Sequence, residues 1–540
     1  MNSGSRQWQG DFQALKTGAA PMQECIKRVA RPVYVVLHNG QSAVIDNGRS
    51  VEGSCRSDND TLPLLAAIPP LPPERLGDTS FKEQLGLRYA YIIGAMANGI
   101  TSVEMLRAAG RAGMIAFFGA GGLSLQEIEA AIDRVQRDPE PYPFGFNLIH
   151  SPYDAAHEAA TVDLYLRRGI KLVSASAYLT LTPHLVRYRI KGIHQTPAGR
   201  IVCPNHVIAK VSRMEVARRF FAPPPQNILD QLLRDGLINA QEAALAGKVP
   251  VAQDMTAEAD SGGHTDNRPA LALLPTFITL RDDALERFKF DIPMRVGLAG
   301  GIATPHAAAA AFAMGAAYVL TGSINQACIE ADTAPAVKEM LVQAEQADVT
   351  MAPAADMFEM GAKVQVLKRG TMFAMRGARL YDLYRSHDAY DQIPAPTRTV
   401  LERDIFCGSF AQVWQKTRQF FEIRDPSQIA RAEREPKHKM ALVFRSYLGL
   451  SSRWAKTGDP GRRMDYQIWC GPSMGAFNAW VKGSFLESAA QRRVALLGMN
   501  LLYGAAGLIR FHWLQCQGLV LPPVSFRPLR LEELTASLEP

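Results

Sequence analysis

From residue 90 onward, short apolar runs recur along the chain at a regular pace. They read AYIIGAMA (90–97), MIAFFGA (114–120), FGFNLI (144–149), KLVSAS (171–176), HVIAKVS (206–212), VPVAQD (249–254), MRVGLAG (294–300) and AYVLTGS (317–323). Each is short enough for a buried strand and ends in small or polar residues. Amphipathic segments fill the gaps: in LQEIEAAIDRV (125–135), Leu125, Ile128, Ala131, Ile132 and Val135 fall on one helical face. Strand and helix alternating eight times predict an α/β chain built on a (β/α)8 TIM barrel.

The flanks read differently. VYVVLHNGQSAVI (33–45) has Asn39-Gly40 between two β-rich runs and predicts a hairpin. LPLLAAIPPLPPERLGD (62–78) is rich in proline and reads as a linker. Residues 1–75 are therefore expected to form a small N-terminal segment, 76–330 the barrel, and 331–540 a mainly helical region capping it. Strand-like runs mostly stop after residue 330. Residues 1–60 suggest no chemistry.

Composition narrows the setting. Hydrophobic residues make up 47% and charged residues 21% of 540, an ordinary globular balance with ample core material. The seven cysteines are odd in number and show no CxxC spacing, which predicts a reducing compartment, no disulfide framework and no metal site. The N-terminal residues hold no apolar leader, and no run of about 18 apolar residues occurs, so a cytoplasmic protein without a membrane span is expected. The net charge of +7 is uneven: residues 361–460 carry 18 Lys and Arg against 10 Asp and Glu. Such a surface attracts acidic partners, although a solvated helical face accounts for it equally well.

In a TIM barrel the chemistry sits where the strands end. The first run ends in Gly94, Ala95 and Met96; the third carries Asn147; the fifth carries Lys210 and Ser212. The sixth leads into EADSGGHTDNRP (258–269), expected to be a polar loop that brings Gly262, Gly263 and His264 to the barrel mouth. The seventh and eighth end in Gly300-Gly301 and Gly322-Ser323, and loops at those places commonly hold a phosphate. An ordinary tight turn and a structural histidine are the plain alternatives for the Gly-Gly-His stretch. GAGGLS (119–124) only partly matches a dinucleotide fingerprint, since Ser124 replaces its last glycine, and Gly247-Lys248 lacks the rest of a phosphate-binding P-loop.

GAMANGITS, FFGAGGL, FGFNLI, EADSGGHTDNRP, GLAGGIATPHAAAAAFAMGAAYVLTGSINQA and DYQIWCGPSMGAFNAWVKGSFLE together resemble the trans-acting enoyl reductases of bacterial polyketide and polyunsaturated fatty acid synthases. These belong to the nitronate monooxygenase-like group of FMN barrels. The barrel motifs are common to the group, and the last motif is particular to the trans-acting subfamily. The resemblance runs from about residue 75 to 520. It implies bound FMN, reduction by NADPH, and a 2-enoyl thioester carried on an acyl carrier protein within a polyketide synthase assembly. It places Gly94, Ala95 and Met96 along the flavin ring, Asn147 at its polar edge, and Lys210 by the ring or ribityl chain. Gly300, Gly301, Gly322 and Ser323 would hold the phosphate. His264 matches the group's Gly-Gly-His histidine, although the spacing from Glu258 is longer than in simple nitronate monooxygenases.

Reduction at Cβ leaves an enolate that needs hydrogen-bond donors, and Cα then needs a proton. His264 is the candidate acid, with tyrosine or water as alternatives. The basic stretch 361–460 is the candidate dock for the acidic carrier. The rival readings are a nitronate monooxygenase-like oxidase, a barrel that binds phosphate without flavin, and a non-catalytic synthase scaffold. Trp469-Cys470-Gly471-Pro472 either lines an acyl channel or packs the helical region. No nucleic-acid or membrane partner is expected, and monomer and homodimer stay open.

Overall fold

The structure, a computed structural model, describes residues 6–52, 61–150 and 154–539. Eight parallel strands close into a barrel in chain order, the last (Val319–Thr321) pairing the first (Tyr91–Ile93) through Val319↔Tyr91. The intervening strands are Ile115–Phe118, Gly145–Ile149, Leu172–Ser176, His206–Val211, Asp254–Glu258 and Arg295–Ala299.

Seven of the eight apolar runs contain their strand. The sixth is displaced: VPVAQD precedes the strand, which is DMTAE, Asp254–Glu258. Val249, Val251 and Ala252 are fully buried, but Val251 N–H donates to Ala222 and Ala252 N–H to Phe220, so this backbone turns against the preceding segment. The true strand escapes a hydrophobicity reading because it buries polar groups. Thr256 Oγ1 lies 2.9 Å from the Tyr318 hydroxyl, and Asp254 is fully buried.

Asp254 sits at the N-terminal end of the barrel strands. Arg295 Nε donates to its Oδ1 at 2.6 Å and Nη2 to its Oδ2 at 3.0 Å, while His206 Nε2 lies 2.5 Å from Oδ2. Arg295 also reaches Gln84 and stacks its guanidinium 5.4 Å over the Phe81 ring. Burial acts against the Asp254 charge, yet the His206 and Arg295 partners hold its pKa below the ordinary carboxylate value.

The N-terminal segment is more structured than a hairpin and a linker. The expected hairpin forms (Val33–His38 with Gln41–Ile45). It belongs to a six-stranded antiparallel sheet that also takes Lys16–Thr17, Arg6–Gln9, Arg49–Glu52 and Thr61–Ile68. Thr61–Ile68 lies inside the stretch expected to be a linker: alternating burial and pairing to Val33–His38 override its prolines. Cys55 lies outside the described residues; the other six cysteines are unpaired.

The C-terminal half is largely helical but holds two further strands among the described residues, Val349–Pro353 and Lys363–Leu367, which pair with each other, the second also pairing with Gly263–His264. Of the later helices, Phe410–Arg424 and Pro436–Thr457 stand over the barrel. Val494–Cys516 packs along its side against Pro305–Ala313. This last helix is long and apolar enough to cross a membrane by length and composition, but 72% of its apolar window is buried inside the protein. Arg510 on it donates to the Val29 and Arg31 carbonyls, both at 2.7 Å, tying it to the N-terminal segment.

Arg295→Met should destabilise the barrel by about 3–5 kcal/mol, because it strands a buried carboxylate. A chemical denaturation midpoint unchanged from the wild type would contradict that.

Candidate functional site

At the C-terminal ends of the strands lies a cavity of about 1260 Å³. Its floor is the barrel, and its walls are the Val349–Leu367 hairpin and the helices Phe410–Arg424 and Pro436–Thr457. All the residues singled out from sequence reach it: Gly94, Ala95 and Met96; Asn147; Lys210; Gly262, Gly263 and His264; Gly300 and Gly301; Gly322 and Ser323.

The loop after the first strand is held by Thr101. Its hydroxyl donates to the Gly94 carbonyl at 2.8 Å and accepts from Met96 N–H at 2.9 Å. Asn98 from the same loop reaches up to Ser452 on the capping helix at 3.0 Å. Asn147 is buried and spends its amide N–H groups on the Ser174 carbonyl (2.8 Å) and the Ser176 hydroxyl (3.2 Å). Its side-chain oxygen has no partner among the described residues, so toward the cavity Asn147 is an acceptor.

Lys210 is not a bare cation. Its Nζ donates to Glu258 Oε1 at 2.7 Å, and Ser261 Oγ reaches the same oxygen at 3.2 Å. The pair leaves this wall close to neutral while keeping donor and acceptor groups side by side.

Gly300 and Gly301 take φ of +85° and +77°, conformations that side chains resist. A Cβ on Gly300 would also stand 2.6 Å from the Ala259 backbone. On the far side Gly322 opens onto empty space. The N–H groups of Gly301 and Gly322 have no acceptor among the described residues. Both loops line the cavity, so they offer it backbone donors that no protein group takes among the described residues.

The Gly-Gly-His stretch is not a free loop. Gly263 and His264 form a short strand against Gln365 and Val364. Gly262 is required by packing: a Cβ there would lie 2.9 Å from the Cys470 backbone, and one on Gly471 would lie 2.8 Å from Gly262 N. Two chain segments cross here with nothing between them. Gly471 N–H also donates to Ser323 Oγ at 3.0 Å. The Trp469–Pro472 motif thus both packs and lines: Cys470 is fully buried, whereas Trp469 borders the cavity.

His264 projects into the cavity with Nε2 3.1 Å from Asp356 Oδ1. Their side chains are 41% and 43% exposed. Burial acts to depress the His264 pKa, but the facing Asp356 carboxylate prevails and raises it above the ordinary imidazole value; Lys210 opposes this and Glu258 assists. Asp356 is itself held low: burial works against its charge, and His264, then Arg445, outweigh it. Arg445 further anchors the loop by donating to the Ala355 carbonyl at 2.9 Å.

Sequence reasoning missed Glu258 as the partner of Lys210, and it missed Asp356 altogether. The Glu258 signal was present, a carboxylate closing strand six beside a lysine late in strand five. Asp356 gave none, because it lies in a region read as helical and meets His264 only through the hairpin pairing.

Three stretches of the chain match protein families. Residues 80–371 match the nitronate monooxygenase family. Residues 8–70 match the N-terminal domain of fatty acid synthase subunit PfaD, and 387–466 the inserted helical domain of acyl-carrier-protein S-malonyltransferase. A polyunsaturated fatty acid synthase polypeptide of Thraustochytrium sp. is 45% identical over 82% of this chain and 30% of its own length. Polyketide biosynthesis protein PksE of Bacillus subtilis is 45% identical over 81% of this chain and 57% of its own. The chain thus spans about a third to somewhat over half of these relatives. The crystal structure of the enoyl reductase domain of MlnA, from the macrolactin cluster of Bacillus amyloliquefaciens, superposes with a TM-score of 0.78 at 40% identity, covering 82% of this chain and 99% of that one. With the family match extending over more than half of its length, the chain belongs to the nitronate monooxygenase family, in the branch that holds the MlnA enoyl reductase domain and the synthase proteins.

Proposed function

We propose that the chain is an enoyl reductase that acts in trans, using FMN and NADPH to reduce the 2,3-double bond of an enoyl thioester presented by an acyl carrier protein during polyketide or polyunsaturated fatty acid synthesis. The observation that carries this reading is the arrangement of the cavity. His264 with its carboxylate partner stands over a glycine-lined floor, in a space of about 1260 Å³. Single-ligand pockets commonly measure about 300–1,000 Å³, so this one has room for a cofactor and a substrate together.

The residues fit a flavin mononucleotide. The unsatisfied Gly301 and Gly322 N–H groups suit its phosphate. The Asn147 side-chain oxygen suits an N–H on a ring edge, and the Gly94–Met96 loop, pinned by Thr101, offers a flat backbone surface. When bound, the flavin supplies the two-electron chemistry that NADPH recharges.

The chain's own residues then do the rest. Lys210 and Glu258 offer a fixed donor and acceptor at the cofactor's side without adding net charge. The two capping helices and the hairpin wall the cavity and leave its mouth open to solvent. Asp356 accepts from the Nε2–H of His264 and so favours the doubly protonated ring, which passes its Nδ1 proton to the substrate Cα as the enolate collapses. The product leaves with a saturated α,β bond, and His264 regains its proton from solvent through the open mouth.

The purified protein should show a flavin absorption spectrum. Anaerobic NADPH should bleach it, and a 2-enoyl thioester on a carrier protein should restore it. A colourless protein that takes up no FMN would sink the flavin assignment; a bleached flavin that only oxygen restores would favour an oxidase.

His264→Ala should slow enoyl reduction on the order of 10²-fold or more, with flavin content unchanged. The pH profile carries its own signature. His264 acts protonated and its pKa is raised, so activity should persist above the ordinary imidazole range and fall as pH rises through the raised value. Asp356→Asn removes the raising charge and should move that alkaline limb to lower pH. A limb that stays in place in steady-state rates would remove His264 from the role of acid.

A further inference from the structure

The helix Phe410–Arg424 does more than roof the cavity. Val413, Lys416, Phe420 and Arg424 fall at helical spacing and all face the cavity, so one side of the helix runs down to the mouth. Along the adjacent outer edge the polarity is wrong for a solvated helix. Ile423 is 92% exposed and Phe420 45% exposed. Lys416 and Arg424 lie on the same side of the helix as these two, whereas Arg418 and its partner Glu422, 3.2 Å apart, lie on the opposite side. Arg424 packs its guanidinium 5.6 Å from the Phe420 ring and bridges to Asp154 on the barrel at 2.9 Å, which fixes the tip of the helix against the barrel rim. Lys416 makes no salt bridge among the described residues. Arg453, from the neighbouring helix, borders the same cavity.

Arg418 and Arg424 are already paired, which leaves Lys416 as the free charge on this helix among the described residues, and an exposed apolar centre beside a free cation at a pocket entrance suits a partner of the opposite sign. A second copy of this chain suits it poorly, because a two-fold contact would set Lys416 and Arg424 against their own images. Resting on the enoyl-reductase reading, we propose that this face, centred on Ile423 and Phe420 with Lys416 and Arg424 beside them, docks the acidic carrier domain that delivers the acyl thioester. The carrier's apolar contact residues cover Ile423 and Phe420. Its acidic side chains meet Lys416, the free cation of this face among the described residues, and its prosthetic arm enters between the helix and the barrel. The residues that discriminate a carrier-bound substrate from a free thioester therefore lie outside the reacting centre.

The test separates docking from chemistry. A recombinant acidic acyl carrier protein, labelled on its prosthetic arm, is titrated with the holoenzyme by fluorescence anisotropy. Reduction of a 2-enoyl group on that carrier is compared with reduction of the same group on N-acetylcysteamine. Ile423→Asp alters a side chain that lies outside the cavity wall. It should weaken carrier binding at least 10-fold and slow the carrier-bound reaction to match, while the small thioester changes less than 2-fold. Lys416→Glu, read by binding alone, should weaken the complex and flatten its dependence on salt. Unchanged carrier binding in both variants overturns the proposal. So does Ile423→Asp converting a dimer to a monomer in analytical ultracentrifugation, which would give the face to a second copy. Because anisotropy needs no turnover, an enzyme that binds the carrier but reduces no enoyl group would retire the proposed reaction and leave the docking face standing.

Discussion

The site depends on a few backbone hydrogen bonds between Gly263–His264 and Lys363–Leu367. A barrel loop pairs there with a hairpin from the C-terminal half, and a two-residue strand has no stability of its own. It exists because Val349–Pro353 and Lys363–Leu367 form a two-stranded template for it, and because Gln365 donates to Asp260 Oδ1 (2.7 Å) and the Ser261 carbonyl (2.8 Å) next door. That pairing sets His264 at a fixed height above the barrel floor. The loop between the same two strands carries Asp356. One hairpin thus supplies both the backbone that positions the imidazole and the carboxylate that holds its proton, so the separation of the two groups is set by local geometry.

The lower end of the barrel works by opposite means. There Asp254, His206 and Arg295 are sealed away from water, and the cluster is compensated within itself. At the upper end the polar groups are left incomplete toward the cavity: an Asn147 oxygen, the Gly301 and Gly322 N–H groups, and the imidazole of His264. Stability resides where polar groups are satisfied, and binding capacity where they are not. The same strands carry both, since Asp254 and Glu258 open and close a single strand.

How far the sequence foretold this depends on whether the signal was local. Apolar runs bounded by small residues located seven strands, because burial on both faces of a parallel strand leaves a continuous hydrophobic trace. Asp254–Glu258 broke the rule by burying Asp254 and Thr256, and the apolar stretch before it drew the prediction away. Gly300 and Gly301 at the end of strand seven were legible because positive φ demands that residue type. For Gly262 the residue was noticed and the cause was not: the crowding comes from Cys470, more than two hundred positions along the chain. Thr61–Ile68 was hidden by Pro63 and the prolines that follow it, and its pairing to Val33–His38 is again a matter of tertiary contact. Asp356 was illegible for the same reason, since nothing near it in the chain announces that a histidine will face it.

The crossing of Gly262 with Gly471 bears on how such a protein can be rebuilt. Two backbones in direct contact cannot slide or hinge past one another without a void opening between them. The roof over the cavity is therefore keyed to the barrel at that point, and Gly471 N–H on Ser323 turns the key toward the Gly322-Ser323 loop. Exchanging helical caps between relatives to change what enters the cavity would have to leave this crossing intact. The segment around Cys470 and Gly471 belongs to the barrel as a unit of exchange, although it lies far from it in sequence, and the natural cut sites fall on either side of the helices that precede it.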